Sequence, residues 1–346
     1  MNNLYIEDIE RVADLEYDWE RIDNHSILVV GASGMLGTCL IDVLMTRNKN
    51  ENANIKIYAM GRNEENLKMR FEHYSNNDDL TLIRGDITDP IPNLLNVDYV
   101  IHAASNTHPK AYSTDPIGTI MTNILGMENV LKYAESINAK RSLFLSSVEI
   151  YGENNGDVEY FKESYCGYID CNTLRAGYSE SKRVSEALCQ AYIESKKMDI
   201  VIPRLARVFG PTMRMSDSKA SSQFIKNAAN QESIVLKSEG NQLFSYIYVC
   251  DAVSSLIFLL INGQNGQAYN IGNPNYDLRL KDLAQKLAEI AGVEIIYDLP
   301  DEIEIKGYSK ATKALLDVDK IRKLGWSPIF ELETALSHTV EIIEKN

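Results

Sequence analysis

A chain of 346 residues, 45% hydrophobic and 24% charged, has an ordinary folded composition and is long enough for one large domain with a smaller partner, with a cleft between them. Its formal charge of −14, with no lysine or arginine stripe to interrupt it, excludes a nucleic-acid surface while leaving room for a small anionic ligand held by local positive groups. The longest apolar run, Val253 to Ile261, is too short to cross a bilayer, and the N-terminus is acidic where a signal peptide is basic, so a cytoplasmic location without membrane association is expected.

In chain order, the acidic stretch Met1 to His25 carries Leu4, Ile6, Ile9, Val12, Ala13 and Leu15 at roughly helical spacing, which predicts a short helix packed on the outside; a partner-binding role is the alternative. Short β-rich runs then alternate with helix-length segments. The runs are Ile27 to Val30, Ile55 to Met60, Leu80 to Ile83, Tyr99 to His102, Leu143 to Ser146 and Ile200 to Pro203; the helices are Leu36 to Arg47, Ile117 to Ile137 and Tyr178 to Lys196. This is the rhythm of an α/β fold, a Rossmann-type doubly wound parallel sheet covered on both faces. Beyond Pro203 the rhythm loosens until a final helix over Leu332 to Glu344. The expected division is a helical extension over 1–25, a dinucleotide-binding domain over 26–204 and a smaller C-terminal α/β substrate lobe over 205–346, with a segment near 246–272 returning to the first domain.

The run Ile27-Leu28-Val29-Val30-Gly31-Ala32-Ser33-Gly34-Met35-Leu36-Gly37 reads as a buried strand, a G-x-x-G-x-x-G turn and an apolar helix. Glycines there permit a tight turn and close approach of backbone to a pyrophosphate, while the helix N-terminus adds partial positive charge. An acidic residue normally ends the second strand to bind the ribose 2′-hydroxyl of NAD. Here the residues are Met60-Gly61-Arg62-Asn63, and Arg62 in reach of a 2′-phosphate favours NADP over NAD; stacking on adenine, or a place in solvent, is the other reading of Arg62. Asp86, in Gly85-Asp86-Ile87 after the third strand, is placed to accept from the adenine amino group, or else is a turn aspartate at the surface.

Tyr178 and Lys182 lie four residues apart on one helix face. An ammonium nearby and a positive nicotinamide ring stabilise phenolate, lowering the tyrosine pKa toward neutrality and making it a general base, or in reverse an acid. Ser147, just past a strand's carboxyl end, can hydrogen-bond the reacting oxygen. The five cysteines (Cys39, Cys166, Cys171, Cys189, Cys250) and five histidines lack metal-ligand spacing, so reduced thiols and no metal are expected. A dinucleotide sensor without turnover has no use for Ser147, Tyr178 and Lys182 together.

At this point the chain resembles the extended short-chain dehydrogenases/reductases, the NAD-dependent epimerase/dehydratase family that modifies nucleotide sugars. Further matches are His102-Ala103-Ala104-Ser105, Pro116-Ile117, Thr122-Asn123, Gly126, Asn129-Val130, Phe209-Gly210-Pro211, Tyr248-Val249-Cys250-Asp251, Asn270-Ile271-Gly272 and Leu324-Gly325-Trp326. The pattern is nearest the UDP-glucuronate decarboxylase, or UDP-xylose synthase, group, because Glu163-Ser164-Tyr165-Cys166-Gly167 leads without gaps to Arg175-Ala176-Gly177-Tyr178. The resemblance implies oxidation of the sugar C4 hydroxyl, loss of carbon dioxide and return of the hydride. It implies catalytic roles for Ser147, Glu149, Tyr178 and Lys182. It puts Gly31, Ser33, Gly34, Met35, Leu36, Gly37, Arg62, Asp86, Ile87, Ala103, Ala104, Ser105 and Asn123 beside the cofactor, with Tyr178 and Lys182. The same likeness puts Ser147, Val148, Glu149, Arg175, Arg207, Arg214 and Phe244 beside a nucleotide-sugar or nucleotide-linked polyol substrate. A homodimer that pairs the helices holding Asn123 and Tyr178 into a four-helix bundle is also implied.

The chain departs from the family at three positions. Val148 stands where sugar dehydratases carry an acid, Phe244 where an arginine contacts diphosphate or reacting sugar, and Thr212 where a second arginine follows the Phe-Gly-Pro turn, with Arg214 two residues on to compensate. Dehydration is therefore disfavoured and poor release of carbon dioxide from UDP-glucuronate is expected. With Arg62, these departures open a second reading, an NADPH-dependent reductase of a nucleotide-linked keto-sugar or ketose, for example a CDP-ketose reduced to a CDP-alditol.

Overall fold

The computed structural model describes residues 1–91, 97–105, 114–298 and 312–345. The first strand, β1 (Ser26–Val30), is buried along almost its whole length, which is why its sequence is a continuous apolar run. It pairs in parallel with β2 (Lys56–Gly61) on one side and β4 (Tyr99–His102) on the other. With β3 (Leu80–Arg84), β5 (Arg141–Phe144), β7 (Ile200–Leu205) and β11 (Ala268–Ile271) they form a parallel sheet in the order β3-β2-β1-β4-β5-β7-β11. The order reverses between β1 and β4, and the crevice at the carboxyl ends of those two strands is where such sheets bind ligands.

Two strand ends differ from expectation. The run predicted over Leu143 to Ser146 starts earlier, at Arg141, and breaks at Leu145 before β6 (Ser146–Ser147) resumes against β7. A charged residue can open this strand because Arg141 makes two 2.9 Å bonds to the Asp199 carboxylate and caps carbonyls at the end of the helix Val249–Asn262. Likewise β7 runs past Pro203, since β6 and β11 supply partners for Arg204 and Leu205. The first βα helix, Met35–Glu51, is a turn longer than predicted and stops at Asn52, whose φ of 52° ends it in the left-handed region.

The second lobe holds β8 (Arg207–Phe209), β10 (Leu243–Tyr248), β12 (Asp277–Arg279) and β14 (Lys313–Ala314) around β10, and a separate pair of β9 (Ile234–Leu236) with β13 (Ile295–Tyr297). β10 leads straight into the helix Val249–Asn262, which packs back on the first sheet and delivers β11 to its edge.

The N-terminal segment forms the helix Asn3–Ala13. It packs against the helices Met35–Glu51, Val249–Asn262 and Leu332–Glu344, and its buried face adds Tyr5 and Asp8 to Ile9, Val12 and Ala13 of the apolar set, with Leu4 and Leu15 partly buried beside them. The reason is polar: Tyr5 donates to Asp42 at 2.6 Å, and Tyr248 donates to Asp8 at 2.7 Å. Two buried hydrogen bonds between partners distant in sequence fix the helix rotation, and spacing alone cannot reveal them.

Candidate active site

The glycine turn closes by contact. Gly31, at φ +88°, donates with Ala32 to the Met60 carbonyl, and a Cβ there would lie 2.6 Å from the Ala104 nitrogen. A Cβ on Gly37 would meet the Gly31 oxygen at the same distance. Gly34 differs: only the Gly31 oxygen, at 3.2 Å, borders its missing Cβ. So two glycines are demanded by the fold, while the third leaves the helix N-terminus open, with no side chain capping it. A dinucleotide pyrophosphate fits this cradle. Met35 and Leu36 open the helix, and Thr212 bonds the Met35 carbonyl at 2.9 Å.

That last contact corrects an expectation. Residues after Phe209-Gly210-Pro211 fold over the glycine turn, so Arg214 does not reach the substrate side; its Nη2 donates to the Ser33 hydroxyl at 3.0 Å and its Nε to the Ser33 carbonyl at 3.3 Å. Arg70 donates to the Thr212 carbonyl at 3.0 Å. Burial and then the charges of Arg70 and Arg62 hold the Arg214 pKa below its usual value, so three guanidinium groups share this corner. Asp86 is also differently employed. Its Oδ1 accepts from the Thr88 backbone at 2.9 Å and hydroxyl at 2.8 Å. Burial works to raise that carboxyl, but the Thr88 bonds and the Arg62 charge outweigh it and leave the pKa low. The carboxylate therefore braces the turn near Arg62 before it meets any adenine. Ile87 is buried against Gly126, and its carbonyl accepts from Asn129 at 2.8 Å.

At the end of β4, Ala103 donates to the Val30 carbonyl, joining the two sides of the crevice, and Ala104 lies against Gly31. Ser105 donates to Asn123 Oδ1 at 2.7 Å, and Asn123 Nδ2 donates to Ser181 at 2.8 Å. Asn123, expected beside the cofactor, is thus buried with both ends of its amide engaged by protein; it pins the helix Pro116–Ser136 to the helix Ala176–Lys196 and orients Ser105.

Ser105 and Ser147 both hydrogen-bond the phenol of Tyr178. The electrostatics of the protein's own groups run upward. Burial pushes Tyr178 up to about 12, the Ser147 bond offsets part of this, Glu149 adds to it, and the Ser105 bond lowers it again. Lys182 points elsewhere: its Nζ donates to the Leu145 carbonyl at 2.8 Å and lies 4.7 Å from the Phe144 ring centre. Burial lowers the Lys182 pKa to about 8. The protein's own groups therefore keep the phenol protonated at neutral pH.

Ser147 also caps the short turn Val148–Tyr151 by accepting from the Glu149 nitrogen at 3.2 Å. Val148, expected at the substrate, turns into the main apolar core and leaves Ser147 and Glu149 as the polar members of this turn. Glu149 faces Arg207 at 3.7 Å, and the Arg207 guanidinium lies flat on Phe244, 3.4 Å from the ring centre. Register explains the stacking, because β8 and β10 pair Arg207 with Tyr246, two residues from Phe244. Arg207 Nη1 and the Tyr246 hydroxyl are both buried without a hydrogen-bond partner among the described residues, the kind of orphan a bound ligand satisfies. Arg175 is exposed at the start of the helix Ala176–Lys196, and none of these contacts involves it.

Sequence reasoning missed Arg70 and the pair Glu186–Arg204. Glu186 repeats the four-residue spacing of Tyr178 and Lys182, a signal open to inspection; Arg70 has none, because its partners are carbonyls 142 residues away. Among the described residues no cluster of three or more histidine, cysteine or acidic side chains is able to hold a metal, and no helix is long and apolar enough to cross a membrane.

Comparison with known proteins bears on this geometry. The model of the NAD dependent epimerase/dehydratase family matches residues 27–272. UDP-glucuronic acid decarboxylase 3 of Arabidopsis thaliana is 32% identical over 318 residues, spanning 90% of this chain and 87% of its own. UDP-glucuronic acid decarboxylase 1 of Xenopus tropicalis is 30% identical over 327 residues, spanning 93% and 73%. Among solved structures, UDP-glucuronic acid 4-epimerase from Bacillus cereus, in complex with UDP-glucuronic acid and NAD, superposes with a TM-score of 0.78 at 22% identity, over 92% of this chain and 99% of that one. A dTDP-glucose 4,6-dehydratase from Bacillus anthracis in complex with NAD gives 0.77 at 19%, over 93% and 97%. At those identities the structural likeness speaks for the fold.

Proposed function

The chain belongs to the NAD dependent epimerase/dehydratase family, and on that premise we propose that it modifies a nucleotide-activated sugar by hydride transfer at a hydroxyl or keto carbon, with Tyr178, Lys182, Ser147 and Glu149 as its catalytic residues. It is an NAD(P)-dependent enzyme of the extended short-chain dehydrogenase type. The observation that carries the reading is the convergence of Ser105 and Ser147 on one phenol beside the open glycine turn.

When bound there, the nicotinamide ring supplies the hydride acceptor or donor. Tyr178 moves the proton of the reacting oxygen, giving it to a ketone or taking it from an alcohol. Ser147 donates a hydrogen bond to that oxygen, and Ser105 steadies the phenol from the other side. Lys182 contributes positive charge behind Tyr178. The guanidinium that Phe244 lacks comes from Arg207, held flat on that same ring, with an unpaired Nη1 available to a carboxylate or keto oxygen of the substrate. This arrangement supports an anionic sugar such as UDP-glucuronate.

A specific observation favours a second reading. Arg62, Arg70 and Arg214 share a corner of the glycine turn, and none of them has a carboxylate at ion-pair distance among the described residues. In a chain of charge −14, such a corner suits the 2′-phosphate of NADP and so a reductase that consumes NADPH. One experiment separates the readings: incubate the protein with a panel of nucleotide sugars, including UDP-glucuronate, and each cofactor, following product mass and nicotinamide absorbance together. Loss of carbon dioxide at constant absorbance supports the decarboxylase; stoichiometric NADPH oxidation supports the reductase; no product from any sugar overturns both.

Ile117, Met121 and Val184, apolar and exposed on the two packed helices Pro116–Ser136 and Ala176–Lys196, support a homodimer through those helices, which light scattering on the purified protein tests. Five free cysteines support a cytoplasmic setting.

A further inference from the structure

The helix Ala176–Lys196 carries Tyr178, Lys182 and Glu186 at four-residue intervals, a single stripe facing the carboxyl ends of β5 and β6. Glu186 is held by three hydrogen bonds. Its Oε1 accepts from the Ser146 hydroxyl at 2.5 Å and from Arg204 Nε at 3.0 Å, and its Oε2 accepts from Arg204 Nη2 at 2.6 Å. Arg204 is anchored in turn by the Glu163 carbonyl at 2.7 Å and the Tyr151 hydroxyl at 3.0 Å. The adjacent serines of β6 thus divide their work, Ser147 on the phenol and Ser146 on the carboxylate.

Between those two ends lies Lys182, almost fully buried, with one carbonyl acceptor among the described residues for an ammonium that carries three donors. We propose that Glu186 is a positioning residue of the reaction: clamped by Ser146 and Arg204, it keeps Lys182 in its ammonium form behind Tyr178. The inference rests on Tyr178 and Lys182 being the reacting pair.

The groups facing Lys182 leave Glu186 as the counter-charge. From its own helix come Tyr178, Glu186 and Cys189; from β4 comes His102, buried, with Nδ1 unpartnered and its pKa lowered to about 3 by burial and then by Lys182, so it is neutral. From β5 comes the Phe144 ring, and from β7 the Arg204 guanidinium reaches Glu186 as its ion-pair partner. Glu149 acts on Tyr178. Burial depresses the lysine, and Glu186 and then Cys189 hold it up. An ammonium with so little solvent loses its proton more easily once the carboxylate is gone.

The test reads Lys182 directly, without substrate, so it stands apart from any failure to find an activity. Protein labelled with carbon-13 at the lysine ε position is titrated by NMR, and the Lys182 signal is assigned by its loss in Lys182→Arg. The expected midpoint falls by about one pH unit or more in Glu186→Gln, the scale of one nearby opposite charge. It returns most of the way in Glu186→Asp, which retains the charge. Arg204→Gln leaves the carboxylate but removes its clamp, so the midpoint falls less there than in Glu186→Gln. A purely structural role for the Glu186–Arg204 pair predicts the same displacement in both variants. A midpoint that stays at the wild-type value in Glu186→Gln overturns the proposal; should that variant fail to fold, a midpoint lowered by a full pH unit in Glu186→Asp, despite the retained charge, does so. With an assay in hand, the alkaline limb of kcat moves to lower pH in Glu186→Gln and not in Glu186→Asp.

Discussion

Two sets of arginines border one cleft, and they differ in what neutralises them. Arg204 is locked two-pronged on Glu186 inside the protein, whereas Arg62, Arg70 and Arg214 crowd the glycine turn with serine and carbonyl oxygens but, among the described residues, no carboxylate at ion-pair distance. Arg207 stands between these cases, stacked on Phe244 with Glu149 at 3.7 Å, outside hydrogen-bond reach. The difference teaches where the chain has fixed its geometry and where it has left charge for a ligand. A guanidinium with a tight internal partner positions other groups; one without a partner adds attraction for an anion.

The comparison breaks first at its centre. If the cleft between the two sets is the reaction site, Tyr178→Phe lowers turnover by about 10²–10⁴-fold while dinucleotide binding, followed by fluorescence, persists. Equal turnover in this variant removes the cleft from the mechanism. Next is the intermediate arginine: Arg207→Ala is expected to lower kcat/KM by about 10- to 100-fold on the sugar that proves to be the substrate, the range for one charged hydrogen bond. If Phe244→Arg then fails to restore any of that loss, the guanidinium is tied to its place on β8 as well as to its charge.

The unpaired set is tested by cofactor choice. Arg214→Ala is expected to weaken NADPH by about tenfold in calorimetry and to leave NADH nearly unchanged, because only the former brings a 2′-phosphate to the corner. A preference for NADH in the wild type reverses the reading of all three arginines. The smallest effect comes from a buried acid outside the cleft. Asp251 accepts from the Ile329 nitrogen at 2.7 Å, its other oxygen has no partner among the described residues, and burial pushes its pKa up to about 7. A carboxyl raised in the fold favours the folded state while protonated, so its contribution is full below the ordinary carboxylate range and is lost as pH climbs through about 7. Asp251→Asn therefore narrows the gap in Tm between pH 5 and pH 8, by about 2–4 °C.

What the sequence revealed of the fold and site follows from how local each signal is. The glycine turn, the Tyr178–Lys182 spacing and the final helix Leu332–Glu344 were legible because each is written within a dozen or so residues. Arg214 was placed on the wrong wall, since nothing near it in sequence tells that residues 212–214 fold onto Ser33, 181 residues earlier. Asn123 was read as a ligand contact, and Asp86 as either that or a turn aspartate, because the motif names the position and not the neighbours, Ser181 and Thr88, that engage their side chains. The phenol was expected to be made acidic by the lysine and a nicotinamide ring together; the protein's own groups, burial first among them and invisible in a linear pattern, push it the other way.

The opening helix, finally, imposes an order in time. Its partners include Met35–Glu51, made soon after it, but also Tyr248 and His338, which contact Asp8 across 240 and 330 positions. At roughly 5–20 residues per second of synthesis, Asp8 waits tens of seconds for them. Until then Tyr5, Ile9 and Val12 have only part of their cover, and the contact that completes it joins residues far apart in sequence, which is slow to form.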